Sequence, residues 1–218
     1  MFGKQFFAAA LAIAPLWAAH FDDKVRGDFF AGFAGDNAAF ERAMQNSATD
    51  PSAEAMAWHG GGLMVLSGQK FQQGDYAAGG DLWARGVAEM DKAGAMEPDN
   101  PAVLIPRAAV WFVASRQAPP DRGRPLIEKA VADYEHVYEL QQAYFDKLDT
   151  HMRSELLFGL ADGHARLGNA DKARGYFEKL AAIGPASGHL EQAQLYLKGE
   201  KYAIQGLGCV GCHSQKVN

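Results

Sequence analysis

The residues best equipped for chemistry in this 218-residue chain sit together near its C-terminal end, as Cys209-Val210-Gly211-Cys212-His213. The chain has two cysteines in all, and both are in this motif. On a helical turn, residues three and four apart share a face, so thiols at 209 and 212 stand side by side with the His213 imidazole next to them. That arrangement suits one covalently held haem, with Cys209 and Cys212 bonded to its two vinyl groups and His213 as an axial ligand to iron. Three other uses of the same residues are open. A redox dithiol normally opens a helix in a β-α-β setting, and no strand pattern surrounds this one. A zinc site needs four ligands, and three are clustered here. A disulfide between residues three apart closes too short a loop to constrain the chain much.

A second axial ligand has to come from upstream. The candidates are His20, His59, His136, His151, His164 and His189, or one of Met44, Met56, Met64, Met90, Met96 and Met152. His59 is the favoured one, because Trp58 and the run Gly60-Gly61-Gly62 beside it would let a large planar group come close. His164 falls at a core position, His136 and His151 fall on charged helix faces, and His189 opens a helix after Gly188. The tetrapeptide His59 to Gly62 also spells the HGGG of lipase oxyanion holes. That chemistry requires a G-x-S-x-G nucleophile elbow, which the chain lacks, and there is no H-E-x-x-H either.

The elements that must position these residues are helical. Ala occurs 39 times, against ten Val, five Ile and two Thr, so strand-forming side chains are scarce. A hydrophobic fraction of 48% with 22% charged residues is ordinary for a globular chain. The net charge of −5, with no concentrated basic surface, argues against nucleic acid as a partner. Lys4 followed by the apolar run from Phe6 to Ala19 reads as a secretory signal peptide over 1–18, too short to span a bilayer comfortably. Membrane contact is expected only if this segment stays uncleaved. Export places the cysteines in the bacterial cell envelope, with a periplasmic location expected.

From Phe21 onward, amphipathic stretches alternate with short Gly, Pro, Asn or Asp breaks, which predicts stacked helical hairpins over 19–198 followed by a tail over 199–218. In the clearest unit, Ser154 to Pro185, Leu156, Leu160, Gly163 and Leu167 share one face; Gly168-Asn169 breaks the helix, and Ala173, Phe177 and Leu180 resume the pattern. This unit resembles a tetratricopeptide repeat. Counted back from Pro185, Leu160, Gly168, Ala173 and Phe177 fall where the 34-residue motif has Leu, Gly, Ala and Phe. Leu157, Ala161, His164 and Leu180 depart from it. The resemblance implies an all-α solenoid of about nine or ten helices, the last of them Ala186 to Lys198, presenting a groove to a partner.

The motif at Cys209, Cys212 and His213 is similar to the attachment sequence of monohaem c-type cytochromes, which implies one covalent haem c. Small cytochromes c carry the motif early with an axial Met downstream, whereas Ser214 to Asn218 alone follow it here, so that fold is not expected. The combined expectation is an exported c-type haem protein that transfers electrons, or acts as an accessory redox subunit, and docks a redox or assembly partner through its repeats. An interaction module with a structural or sensory haem is the second expectation, and an open-site haem enzyme or gas binder the third. Leu195, Tyr196 and Tyr202 are expected either to pack on the porphyrin or to seal the last repeat.

Overall fold

The computed structural model describes residues 21–203, which fold into nine α-helices and two short 3-10 turns, with no strand among them. In chain order the helices are α1 (Asp23–Phe33), α2 (Asn37–Thr49), α3 (Ala53–Gln72), α4 (Tyr76–Met96), α5 (Pro101–Gln117), α6 (Pro120–Gln141), α7 (Thr150–Leu167), α8 (Ala170–Ile183) and α9 (Leu190–Leu197). None is long and apolar enough to cross a membrane.

The helix starts are written in the sequence as caps. The side chains of Asp22, Asp36, Ser52, Asp75, Asn100 and Asp149 each accept a hydrogen bond from a backbone N–H in the first turn of the helix that follows. Such caps satisfy donors that a helix otherwise leaves orphaned. Three hairpin turns share one device. Gly35, Gly74 and Gly168 adopt positive φ, and each is followed by Asp36, Asp75 or Asn169 at the cap position. Only glycine takes that backbone conformation without strain. The α5–α6 turn uses Pro119-Pro120 instead, with Pro120 in the first turn of α6. The closing helix starts later than expected. Residues 184–187 form a 3-10 turn and Gly188 has positive φ, so α9 begins only at Leu190.

Helices pair as α1–α2, α3–α4, α5–α6 and α7–α8, with α9 against α8. Gly60 and Gly86 each lie so near the other's carbonyl oxygen that a Cβ would stand 2.9 Å and 2.7 Å away, so α3 and α4 touch backbone to backbone. Gly61 faces Val110, and Gly68, seven residues on, faces Gln117, so α3 and α5 run parallel across successive hairpins. Gly159 faces Tyr134 and Gly163 faces Val131, so α6 and α7 run antiparallel. The largest core, around Trp111, Phe112, Tyr134 and Leu160, joins α3 to α7, while Phe29 and Phe40 centre a core at one end and Phe177 and Leu180 centre one at the other.

In the unit Ser154 to Pro185, the departing repeat positions are buried, and so are the matching ones except the turn residue Gly168, which is exposed. Leu157, Leu160, Ala161, His164, Ala173, Phe177 and Leu180 are all at 2% exposure or less. His164 is accommodated as a neutral ring. Its Nε2–H donates to Glu135 Oε1 at 3.1 Å, its Nδ1 accepts from Asn169 Nδ2 at 3.2 Å, and it stacks on Tyr176. Burial pushes its pKa below the ordinary 6.5, against the pull of Glu135. The unfolded chain therefore takes up a proton at pH values where the folded ring stays neutral, and stability falls as pH drops below about 6.5. We expect urea midpoints to fall between about pH 6.5 and 5, and His164→Gln to flatten that slope; an unchanged slope in the variant would remove His164 from the account.

Candidate functional site

Cys209, Cys212 and His213 lie outside the described residues, as do His20 and the segment 1–18. His59 lies within them, on α3. Its Nδ1 is 2.5 Å from Glu89 Oε2 on α4, an ion pair if the ring is protonated, and the side chain is 13% exposed. The glycines beside it are occupied by helix packing. Gly60 meets Gly86 and Met90, Gly61 meets Val110, and Gly62 meets Met44 and Phe29. The close approach that these glycines permit is thus made by neighbouring helices.

A groove of about 570 Å³ opens among the described helices. It is walled mainly by the first helix of each hairpin, with Arg26 and Phe30 from α1, Trp58 from α3, Ile105 from α5 and His151 and Leu156 from α7, and Tyr134 and Gln141 of α6 also line it. Its size lies within the range of small-molecule and cofactor pockets, and its lining is mainly apolar. Three carboxylates line it, Asp23, Glu54 and Glu155. Glu54, 5% exposed, is 3.4 Å from Arg26 Nη1 and accepts from the Phe21 backbone N–H at 3.4 Å. Glu155 Oε1 accepts from His189 Nε2 at 2.7 Å.

One stripe of α7 connects this groove to the point where the chain enters the tail. His151, Glu155, Phe158 and Asp162 follow the i, i+4, i+7, i+11 spacing that places side chains on one helix face. His151 Nδ1 is 3.8 Å from Glu155 Oε1. His189 lies flat on Phe158, with ring centroids 4.1 Å apart and planes 2° from parallel. At the far end, the Tyr202 hydroxyl donates to Asp162 Oδ1 at 2.9 Å and its ring meets Phe158 edge-on. No protein-family model, curated protein or solved structure matches the chain.

Of the two roles expected of Tyr196 and Tyr202, both seal the last hairpin: Tyr196 stacks on Phe177 at 4.4 Å and Tyr202 meets the same ring at 5.5 Å. Burial, reinforced by the Asp162 carboxylate, raises the Tyr202 pKa well above the ordinary phenol range, so the neutral hydroxyl is held as a donor. Asp162 is 3% exposed and also has Arg116 at 3.3 Å and Arg166 at 3.8 Å. Removing the hydroxyl takes one hydrogen bond from a buried carboxylate. Tyr202→Phe should therefore cost about 1.5 kcal/mol in urea unfolding, the usual value of a bond to a charged group, and should loosen the chain at 199–203 in hydrogen exchange.

The remaining candidate ligands divide by burial. Met64 and Met90 are core residues, and His164 is fully engaged. His136 is 40% exposed and bonded to Asp99 at 2.7 Å. Met152, 47% exposed, stands beside His151 at the groove. Among the described residues no three His, Cys, Asp or Glu side chains gather as a metal site. The donors at the groove fit a haem better than a bare metal ion. An imidazole and a thioether are adjacent in the wall, both being ligands that haem iron accepts, and aromatic and aliphatic faces surround them. The α7 stripe was readable as spacing, but its link to His189 depends on the 34-residue excursion through α8, for which the sequence holds no signal.

Proposed function

We propose that this chain is an exported c-type haem protein of the bacterial envelope, in which a tetratricopeptide-like helical scaffold carries one haem c on its C-terminal tail and docks a redox partner. The observation that carries the reading is the motif Cys209-x-x-Cys212-His213 in a chain with no other cysteine. Each thiol would add across one vinyl group, sulfur to one carbon and hydrogen to the other, and His213 would hold one axial position. When bound, the haem supplies a one-electron couple whose potential is set by the second ligand and by how well the surroundings exclude water.

The described helices support the scaffold part of the proposal. Four hairpins follow one another in the chain, α3 and α5 run parallel, and three turns repeat the Gly-Asp or Gly-Asn device. A repeat array stabilised by neighbour contacts leaves a face built from the first helix of each hairpin, which is where the groove lies. The chemistry of its walls suits a bound group with an apolar body.

The experiment is acid-acetone extraction of the full chain exported with its own N-terminal segment, followed by the alkaline pyridine spectrum of the protein pellet. Pigment retained in the pellet, one haem per chain, is the expected result. Pigment that washes out, or none, would rule out the covalent haem. Electron transfer is then tested by rapid oxidation and reduction with small redox mediators and by a low-spin spectrum in both states.

A further inference from the structure

The groove, the α7 stripe and the anchoring of Tyr202 bear jointly on where the tail goes. The described chain ends at Ala203, one residue past a tyrosine fastened to Phe158 and Asp162 on α7. Cys209 is the sixth residue after Ala203. An extended chain covers at most 3.3–3.6 Å per residue, so Cys209 can stand up to about 20 Å from Ala203. Along α7, the eleven residues from Asp162 back to His151 span about 16 Å at 1.5 Å per residue. The tail thus leaves from one end of a stripe whose other end opens into the groove, and it is long enough to traverse it.

The walls suit the group that the tail would bring. Trp58, Phe30, Ile105 and Leu156 offer flat and branched apolar surface. The three carboxylates that line it are matched within the chain, Asp23 and Glu54 by Arg26 and Glu155 by His189. The His151 ring directs Nδ1 toward Glu155, at 3.8 Å from its oxygen. At that distance there is no hydrogen bond, but the carboxylate stands on the Nδ1 side of the ring, the side that a metal-bound histidine turns to its supporting acceptor. His59 differs, since its Nδ1 is engaged across α3 and α4 and its neighbours Glu54 and Trp58, not His59 itself, line the groove.

We infer that the groove between α1, α3, α5 and α7 receives the haem carried by residues 204–218, and that His151 is its second axial ligand. This rests on the proposed covalent haem and adds the location and the ligand. The reading makes α7 the shared frame of the site: it anchors the base of the tail at Asp162 and Phe158 and supplies the distal nitrogen at His151, eleven residues away on the same face.

The test uses the full exported chain with haem attached, comparing optical and electron paramagnetic resonance spectra of the parent with His151→Ala, His151→Met, His59→Ala and His136→Ala. The parent should be six-coordinate and low-spin. His151→Ala should become high-spin and bind carbon monoxide in the ferrous state, with the covalent haem content unchanged. His151→Met should restore a low-spin spectrum with a higher reduction potential, because a thioether favours ferrous iron. His59→Ala and His136→Ala should leave the spectra as they are. Ala102→Trp, which fills the groove from α5 and touches no ligand, should also raise the high-spin fraction. A parent that is already high-spin, or a His151→Ala protein that stays low-spin, overturns the inference while leaving the c-type reading intact, and so does opening of the iron by His59→Ala instead. Absence of acid-stable haem in the parent overturns the functional proposal itself. Circular dichroism of each variant separates these outcomes from loss of the fold.

Discussion

Cys209→Ser combined with Cys212→Ser is expected to abolish acid-stable haem in the exported chain while leaving the helical circular dichroism of residues 21–203 unchanged. The two effects separate because of where the chemistry and the stability reside. Among the described residues the hydrophobic cores run from Phe21 to Tyr202, and burial there is supplied by helix-on-helix packing. The thiols, by contrast, have no partner of their own type elsewhere in the chain. Either single substitution should leave one thioether, visible as a pyridine adduct with its main band moved to longer wavelength because one vinyl group stays conjugated. His213→Ala should attach little haem or leave iron with an altered spectrum, since the imidazole adjoins the second thiol. If the double variant retained acid-stable pigment, the attachment would have to lie elsewhere and the functional proposal would be withdrawn. A dithiol or disulfide reading predicts the opposite pattern, with no pigment in any protein and thiol titration that changes with reductant.

The largest effect on the fold is expected at Arg107. Its Nε and Nη2 donate to both oxygens of Asp133 at 2.8 and 2.6 Å, and Nη1 donates to the Met90 carbonyl at 3.3 Å, so one guanidinium ties α5 to both α6 and α4. Asp133 is 6% exposed, and burial raises its pKa despite the arginine. Arg107→Ala would leave a buried carboxylate without its cation, and removing one partner of a buried pair typically costs about 3–5 kcal/mol. Against a total stability of about 5–15 kcal/mol for an ordinary domain, that is a large fraction. Urea unfolding at pH 7 should show it. The pH dependence gives an independent check. Because the folded carboxyl holds its proton more tightly than the unfolded one, its contribution is greatest at low pH and is lost as pH rises through the raised pKa. The deficit of Arg107→Ala should therefore shrink as pH is lowered and Asp133 takes up a proton, with Asp91 and Lys129 as the nearby charges that modulate the titration. Replacing both residues, Arg107→Met with Asp133→Leu, should cost less than Arg107→Ala alone. A full cost that does not vary with pH would mean that packing of the arginine stem, and not the charge, is responsible.

The groove and the Gly60 run illustrate how packing can redirect a local signal. Three glycines beside a histidine permit a large group to come near, and the sequence cannot say which group. Here the occupants are Gly86, Val110 and Met44 from three other helices. Conversely, His151 on a charged helix face keeps 42% of its side chain exposed, and packing adds that the exposed side lines a groove shared with α1, α3 and α5.

Local rules carried far in this chain because its elements are short-range by nature. Ala content, the 3.6-residue apolar period and the caps at Asp22, Asp36, Ser52, Asp75, Asn100 and Asp149 specify helices and their starts through contacts within one turn. The all-α class and the succession of hairpins were therefore legible in the residues, as was the spacing of Cys209, Cys212 and His213 on which the proposed attachment rests. Tertiary packing settled the rest: the engagement of His59 by Glu89, the pairing of His189 with Glu155, and a groove assembled from four helices that are far apart in the chain. These depend on the angles at which whole helices meet, which are set by side-chain volumes summed over many contacts, and no single residue or spacing encodes such a sum.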